Sequence, residues 1–283
     1  WRRRMYMHRT YQAHPFAQLD LAPDSDGGRF SSAANALHAL VAGHVVQGRV
    51  IFPAAGYLEV ARAATASRSA LRSVFFLQPL AVEAAGVVVE CTVSDGRFEV
   101  CSSDNETLSD GHTHCSGALD AHDGWRCIDH ASVRSSSCAR AACVRTTYDF
   151  FDAVGLQYGP DYRTLERAWG GASDACARLR GRATHQGTMV HPADLDDALC
   201  ASVIIASRGG SGGTQLPFAM DNAMLQGSAD LLGAVRRVVR RVRSRSARAD
   251  IVRLCVAAGC VTGRRRRDIG AARRRRCAAS GAA

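Results

Sequence analysis

The stretch that decides the fold of this chain runs from His44 to Tyr57 and reads His-Val-Val-Gln-Gly-Arg-Val-Ile-Phe-Pro-Ala-Ala-Gly-Tyr. It places a histidine four residues before Gly48 and nine residues before Pro53, and a helical pattern follows the proline. A histidine can exchange protons near neutral pH, and a glycine lets the backbone approach a ligand closely. The stretch therefore joins a candidate proton carrier to a turn that leads into a helix.

Further motifs follow in the second half of the chain. They are Gly155-Leu156-Gln157-Tyr158-Gly159-Pro160-Asp161-Tyr162, His191-Pro192-Ala193-Asp194-Leu195-Asp196 and the shorter Leu216-Pro217-Phe218. Together with the first stretch, and in this order, they resemble the signatures of the dehydratase domains of polyketide synthases and animal-type fatty acid synthases. Those signatures are His-x-x-x-Gly-x-x-x-x-Pro, Gly-Tyr-x-Tyr-Gly-Pro-x-Phe and His-Pro-x-x-x-Asp, and the resemblance covers residues 1 to about 232.

The resemblance implies a fold and a reaction. The fold is the α+β double hotdog, in which each of two units wraps a curved antiparallel sheet around a central helix. The reaction removes water from a 3-hydroxyacyl thioester on an acyl carrier protein and gives a trans-2-enoyl thioester. The substrate is carried on phosphopantetheine, and no cofactor or metal is expected. The implied partners are the acyl carrier protein, the neighbouring synthase domains and a second copy of the chain.

The resemblance also assigns residues to that reaction. His44 is the implied proton acceptor and Asp196 the proton donor, so we expect the two side chains to lie within reach of one substrate. The backbone N–H of Gly48 is a candidate donor to the thioester oxygen. Tyr158, Gly159 and Pro160 are expected to shape the substrate site, with the Tyr158 hydroxyl either assisting the reaction or lying in the core. Tyr57 and Tyr162 are predicted core residues.

Two departures from the family pattern concern the neighbours of the implied acid and base. Cys200 stands where the family usually has Gln or His, four residues after the aspartate and on the same helix face. A thiol is a weak hydrogen-bonding group, so the sequence predicts a weaker hold on Asp196. Gly43 stands where the family often has an aspartate, which predicts a looser orientation of His44. Asp194 and Asp197 are predicted to be solvated acids of the first helical turns.

The pattern of apolar residues predicts two units. An apolar stripe predicts a helix from Ala54, with Glu59 and Arg62 off the stripe, and a second helix from Pro192 to about Ala206. Asp95-Gly96 is a hairpin signal. The predicted division is an upstream linker (1–13), an N-terminal hotdog (14–119), a linker (120–137), a C-terminal hotdog (138–232) and an atypical tail (233–283). Because the chain does not begin with Met, we expect a piece of a longer protein.

The tail accounts for the positive net charge of the chain, which is +10 overall. Residues 231–283 contain sixteen arginines against Asp250 and Asp268, whereas the preceding residues are mildly acidic. The tail lacks alternating apolar residues, so closing strands are not expected there. A shifted reading frame, a disordered segment and a nucleic-acid-binding segment all fit this composition.

For the domain itself, a catalytically inactive double hotdog competes with the dehydratase interpretation, as does an isomerase or cyclase on the same fold.

Composition excludes some classes of protein. No apolar run reaches the roughly 18 residues of a membrane span. The eleven cysteines occur singly, without paired metal-ligand spacing, which is typical of a reduced protein of the cytoplasm. The crowding of His112, His114 and Cys115 with His122, Cys127 and His130 suggests metal ligands. No pair among them, however, has Cys-x-x-Cys or His-x-x-x-His spacing with a matching partner pair. We therefore predict no metal.

Overall fold

The computed structural model describes residues 14–16, 19–20, 28–65, 69–83, 86–103, 111–121, 134–136, 138–172, 174–204, 219–224, 235–243 and 250–258. Its main helices are α1 (Ala34–Val41), α2 (Ala54–Ala64), α3 (Val144–Ala153) and α4 (Pro192–Cys200). Short 3-10 segments occupy Pro160–Tyr162 and Ala201–Ile204. Within the described residues, no helix has the length and apolar character that crossing a membrane requires.

The strands of these described ranges form two sheets. They are β1 (Leu19–Asp20), β2 (Gly28–Ala33), β3 (His44–Val46), β4 (Arg49–Val50), β5 (Ser69–Phe76), β6 (Val88–Ser94), β7 (Arg97–Ser103), β8 (His112–Ala121), β9 (Arg140–Ala142), β10 (Leu156–Tyr158), β11 (Leu165–Gly170), β12 (Asp174–Leu179), β13 (Ala219–Met224), β14 (Val235–Arg243) and β15 (Asp250–Ala258). The large sheet has the order β1-β2-β6-β7-β8-β5-β13-β15-β14-β12-β11-β9, and β10-β3-β4 form the small one. Neighbouring strands are antiparallel, except that β13 and β15 are parallel.

Helix α2 is the central helix of the first half. It packs against β2, β5, β6 and β7, and its residues Leu58 and Ala61 are fully buried. The hairpin predicted at Asp95-Gly96 joins β6 to β7. Both turn residues have positive φ, 50° and 69°, and a two-residue turn of this kind matches the twist of the strands it joins.

Helix α4 is the central helix of the second half. It begins at Pro192, as predicted, and the Nδ1 atom of His191 accepts the backbone N–H of Ala193 at its start. Every residue from Pro192 to Leu199 is buried, because the helix packs against β12, β14, β15 and α2. The α-helix ends at Cys200 and continues as a 3-10 turn to Ile204, so it is shorter than predicted; Ala206 lies outside the described residues.

The expectation that no closing strands follow Leu232 is wrong. Strand β14 pairs with β12 and β15, and β15 also pairs with β13. The valines at 235, 238, 239 and 242 do not alternate with arginine, so a period of two gives no signal there. They are nevertheless β-branched residues, which favour strands. Pairing with β14 and β15 also gives the backbone N–H and C=O groups of β12 and β13 hydrogen-bond partners. The ends of the predicted tail, 233–234 and 259–283, lie outside the described residues.

The two halves share a core. The larger apolar cluster surrounds α2 and also contains Leu195 and Leu199 of α4 and Met220 of β13. A second cluster contains Tyr148, Tyr158 and Tyr162. Tyr57 and Tyr162 are 3% and 2% exposed, which confirms the prediction that both are core residues.

Candidate active site

The small sheet brings two of the sequence motifs together. Strand β10 pairs with β3, and Tyr158 lies opposite His44 in this register. The turn Gln47-Gly48 joins β3 to β4, and both of its residues have positive φ, 49° and 78°. Residues from the first and second halves of the sequence thus become direct neighbours.

The ring of His44 is held in one orientation. Its Nδ1 atom lies 2.7 Å from the carbonyl oxygen of Ile51. A carbonyl can only accept, so Nδ1 carries the hydrogen and, in the neutral ring, Nε2 is left with a free lone pair. The rings of Tyr158 and Tyr162 flank His44, each with its centroid 5.7 Å away. His44 is 4% exposed and presents a basic nitrogen in an aromatic setting.

Asp196 faces that nitrogen from helix α4. Its Oδ2 atom lies 3.8 Å from Nε2 of His44, and the side chain is buried. Burial raises the pKa of Asp196, while the charge of His44 and hydrogen bonds from Tyr158 and Cys200 act in the opposite direction. The predicted proximity of His44 and Asp196 is confirmed. Their catalytic roles stay a prediction.

Cys200 lies next to Asp196 and Tyr158. Its Sγ atom is 3.9 Å from Oδ2 of Asp196 and 3.1 Å from the hydroxyl of Tyr158. Burial raises the pKa of the Cys200 thiol well above its ordinary value, and the charge of Asp196 adds to this shift. A thiol that stays protonated is a poor nucleophile. Cys200 is therefore a neutral neighbour of the carboxyl group, with a long hydrogen bond of 3.9 Å to it.

Gly159 supports the site through its backbone. Its N–H donates to the carbonyl oxygen of Gly43 at 2.8 Å. A Cβ atom on Gly43 would lie 2.9 Å from the ring of Tyr162, and one on Gly159 would lie 3.0 Å from Cα of Gly43. Pro160 begins the following 3-10 segment and is exposed. The close approach of the two glycines fixes the loop after Tyr158 against the residue that precedes His44.

The structure does not bring Gly48 into this group. Gly48 is exposed, and its N–H donates to Oε1 of Gln157 at 2.9 Å. A thioester oxygen would have to displace that amide. Its role as a donor to the substrate stays a prediction.

The prediction that Asp194 and Asp197 are solvated is wrong. They are 2% and 1% exposed. Asp194 forms an ion pair with Arg182, with Nε and Oδ1 2.7 Å apart. Asp197 accepts hydrogen bonds from Tyr148 and Thr164. In the sequence, both residues have the pattern of solvated first-turn acids. Their burial cannot be predicted from that pattern, because the segments that cover them are far away along the chain.

The acid Asp197 has a perturbed protonation equilibrium. Burial raises its pKa to about 7, although the hydrogen bonds from Thr164 and Tyr148 act to lower it. Its Oδ1 atom is buried and has no hydrogen-bond partner within the described part of the chain. The carboxyl group of Asp197 therefore exchanges its proton near neutral pH.

Sequence reasoning also missed a buried acid on α2. Glu59 is fully buried although it lies off the apolar stripe of its helix. Its carboxylate accepts from His14 at 3.0 Å, from Arg62 at 2.7 and 2.8 Å, and from the backbone N–H of Met189 at 2.7 Å. Burial acts to raise the pKa of Glu59, but its bonds to His14 and Arg62 prevail and the pKa is lowered. Glu59 thus ties the first half to the segment before α4.

His114, one of the residues crowded together in the sequence, uses both ring nitrogens within the protein. Nε2 lies 2.7 Å from the hydroxyl of Ser102, and Nδ1 lies 3.1 Å from the carbonyl oxygen of Gln78. The ring also stacks on Tyr57. His122, Cys127 and His130 lie outside the described part of the chain.

Comparison with protein families gives two matches. The family described as polyketide synthase dehydratase domain matches residues 14–103, and the family described as polyketide synthase dehydratase N-terminal domain matches residues 129–262. The second match includes both β14 and β15, and it extends beyond residue 232, where the resemblance seen in the sequence ends.

Two curated relatives are large synthases. Polyketide synthase PksN of Bacillus subtilis is 26% identical over 230 residues, which are 73% of this chain and 4% of that protein. Polyketide synthase ThaG of Burkholderia thailandensis is 31% identical over 175 residues, which are 56% of this chain and 3% of that protein. The chain therefore spans a small part of the length of these relatives.

Two solved structures share the fold. A dehydratase domain of a trans-AT polyketide synthase from Brevibacillus brevis has a TM-score of 0.72 and 23% identity, over 87% of this chain and 93% of that one. The dehydratase domain from the CurF module of the curacin polyketide synthase has a TM-score of 0.69 and 21% identity, over 87% and 94%. These likenesses, with a central helix in each half, confirm the predicted double hotdog.

Proposed function

Because the chain belongs to the polyketide synthase dehydratase family, we propose that it removes water from a 3-hydroxyacyl thioester carried by an acyl carrier protein. The product is a trans-2-enoyl thioester. The family supports a dehydratase activity in general. The proposal that the substrate is a 3-hydroxyacyl thioester rests on one observation. Nε2 of His44 and Oδ2 of Asp196, two buried groups on different motifs, lie 3.8 Å apart.

His44 is the proposed base. Its Nδ1–H is occupied by the carbonyl of Ile51, which directs the lone pair of Nε2 towards Asp196. A substrate that lies alongside both side chains would present its C2–H to this nitrogen. The thioester carbonyl acidifies that proton, and a positioned base of this kind contributes about 10²–10⁴-fold to a rate.

Asp196 is the proposed acid. Hydroxide is a poor leaving group, so the C3 hydroxyl must receive a proton as its bond to carbon breaks. The carboxyl group must be protonated to donate, and burial favours its neutral form. The proposal is thus supported by the environment of Asp196 as well as by its position.

The proposed reaction is balanced without a redox partner. The C2–H and C3–O bonds break, a C2–C3 double bond forms, His44 gains a proton and Asp196 loses one to the departing water. No electrons are exchanged with a cofactor. The proton on His44 can return to Asp196 across the short gap between them, which restores the starting state. We propose that no metal or nucleotide takes part.

Partners and location belong to the same proposal. The relatives are synthases of which this chain matches 3–4% of the length. Such proteins support an arrangement in which the chain works beside other synthase domains, receives its substrate from phosphopantetheine on an acyl carrier protein, pairs with a second copy and resides in the cytoplasm.

The inactive-scaffold alternative receives no support from this site, since both acid–base residues are present and adjacent. The nucleic-acid alternative is weakened because one arginine-rich segment, 235–243, forms strand β14 of the large sheet. No observation on the described residues favours an isomerase or cyclase.

The test is direct. The chain is incubated with a 3-hydroxybutyryl thioester on a phosphopantetheinylated acyl carrier protein, and the enoyl product is measured by mass spectrometry. We expect product with the parent chain and little with His44→Ala. A folded parent that forms no enoyl product, while a known dehydratase converts the same substrate, would overturn the proposal.

A further inference from the structure

We propose that Asp197 is a positioning residue that holds helix α4 against α3 and the start of β11, and so keeps Asp196 opposite His44. The role follows from where the hydrogen bonds of this carboxyl group go. It rests on the proposed dehydration only in so far as Asp196 is the acid of that reaction.

One oxygen of Asp197 collects hydrogen bonds from two other segments. Oδ2 accepts the hydroxyl of Tyr148 at 2.9 Å, the hydroxyl of Thr164 at 2.6 Å and the backbone N–H of Thr164 at 2.5 Å. The Tyr148 hydroxyl in turn accepts the backbone N–H of Leu165 at 3.0 Å. The Tyr148 donor is therefore itself held, and the carboxyl group joins α4, α3 and the segment entering β11.

This network lies where Asp196 needs support. Asp196 and Asp197 share a peptide bond, so a shift of one moves the other. The Asp196 carboxyl group accepts a hydrogen bond from Tyr158, but its contacts with Cys200 and His44 are long, 3.9 and 3.8 Å. The ion pair of Asp194 with Arg182 holds the preceding turn. Asp197 is the residue of this helix with short bonds to the segments around Tyr148 and Thr164.

The unequal use of the two oxygens suggests a matched pair of variants. In Asp197→Asn the amide oxygen can accept the same three bonds, and the amide nitrogen takes the place of Oδ1, which has no partner among the described residues. In Asp197→Ala all three bonds are lost. If position is what matters, Asn should rescue the function that Ala removes.

The first measurement is steady-state turnover of the 3-hydroxybutyryl thioester of N-acetylcysteamine by the full chain. Because a misplacement of about 1 Å can cost about 10²-fold in rate, we expect Asp197→Ala to lower kcat by up to about that factor with little change in KM. Asp197→Asn should stay within about threefold of the parent. Asp152→Asn, on the exposed side of α3, is the control and should match the parent.

If Asp197→Ala does not fold, an unchanged kcat in Tyr148→Phe by itself would overturn the proposal. This variant removes one of the three bonds to Asp197, together with the bond from the Leu165 N–H to the Tyr148 hydroxyl. It should lower kcat less than the alanine variant does. Its effect should largely disappear in the Asp197→Ala background, because residues of one network are not additive. Full additivity of the two substitutions would overturn the proposal.

The second measurement, amide hydrogen exchange of the peptide 192–200, does not depend on activity. Exchange there should accelerate in Asp197→Ala and not in Asp197→Asn. An unchanged kcat and exchange in the alanine variant would refute the positioning role, as would an asparagine variant as impaired as alanine. If the exchange pattern is as expected but the parent dehydrates nothing, the proposed function fails while the role of Asp197 in holding α4 stands.

Discussion

Replacing Asp197 by Asn should change how the stability of the fold depends on pH. Burial raises the pKa of this carboxyl group from its ordinary value of 3.8 to about 7. The folded state therefore favours the protonated form. The stabilisation from that preference is fully present below about pH 4 and is lost as the pH rises through about 7.

The size of the effect follows from the two pKa values. A difference of about three pKa units at 1.36 kcal/mol per unit corresponds to about 4 kcal/mol. Screening by solvent reduces this free energy little, since Asp197 is 1% exposed. A domain is usually stable by only about 5–15 kcal/mol, so this one group should make the parent clearly less stable at about pH 8 than at about pH 5. Asparagine cannot ionise and should escape the loss.

The assay is urea unfolding of the parent and Asp197→Asn, followed by circular dichroism at several values between about pH 4.5 and pH 8. The difference in unfolding free energy between the two proteins isolates Asp197, because all other groups titrate in both. We expect the variant to gain on the parent by about 3 kcal/mol between about pH 4.5 and pH 8, because part of the effect falls below this range. Asp152→Asn, which neutralises an exposed carboxylate, should show no such gain. Parallel curves for the parent and Asp197→Asn would refute the reasoning.

The remaining predictions concern the site itself. His44→Ala and Asp196→Asn should each lower dehydration by about 10²–10⁴-fold with unchanged circular dichroism; an active His44→Ala would exclude it as the base. Turnover should fall on the alkaline side at a pH above the ordinary range of an aspartate, because burial raises the pKa of Asp196, and a pH–rate profile checks this. Cys200→Gln should raise kcat, since an amide can bond the carboxyl that the thiol reaches only at 3.9 Å; a lower kcat would contradict this. Gly43→Asp should destabilise the fold by about 1–3 kcal/mol, as its Cβ would meet the Tyr162 ring at 2.9 Å, measured by urea unfolding.

The sequence predicts the parts of the site that depend on local rules. His44 and Asp196 are identified by the resemblance of their motifs to the family signatures. Helix α4 begins at Pro192 because proline suits a first turn, and a hairpin forms at Asp95-Gly96 because both residues tolerate positive φ. Burial of Asp197 could not be predicted in this way. It depends on Tyr148 and Thr164, which approach only in the folded chain, and an acid near a helix start has the same sequence pattern whether water or protein surrounds it.

Glu59 illustrates the same limit on a helix with a clear pattern. The apolar stripe of α2 identifies the face that packs on the first sheet, and a residue off that stripe is expected to be solvated. The helix, however, has a second covered face, because α4 and the segment around Met189 lie against it. The sequence of a single helix cannot report that second contact, so it does not predict the burial of Glu59.

Gly43 and Tyr162 show how two departures from the family pattern become one feature of the structure. Tyr162 stands where the family motif has Phe, and its hydroxyl donates to the carbonyl oxygen of Leu40 at 3.1 Å. That bond fixes the ring over Gly43, and the space for a Cβ atom there disappears. The sequence predicts that a glycine before His44 loosens the orientation of the histidine. The structure does not support that prediction. The ring of Tyr162 lies against His44 and occupies the place where the side chain of an aspartate at position 43 would begin. The carbonyl of Ile51 orients Nδ1 of His44.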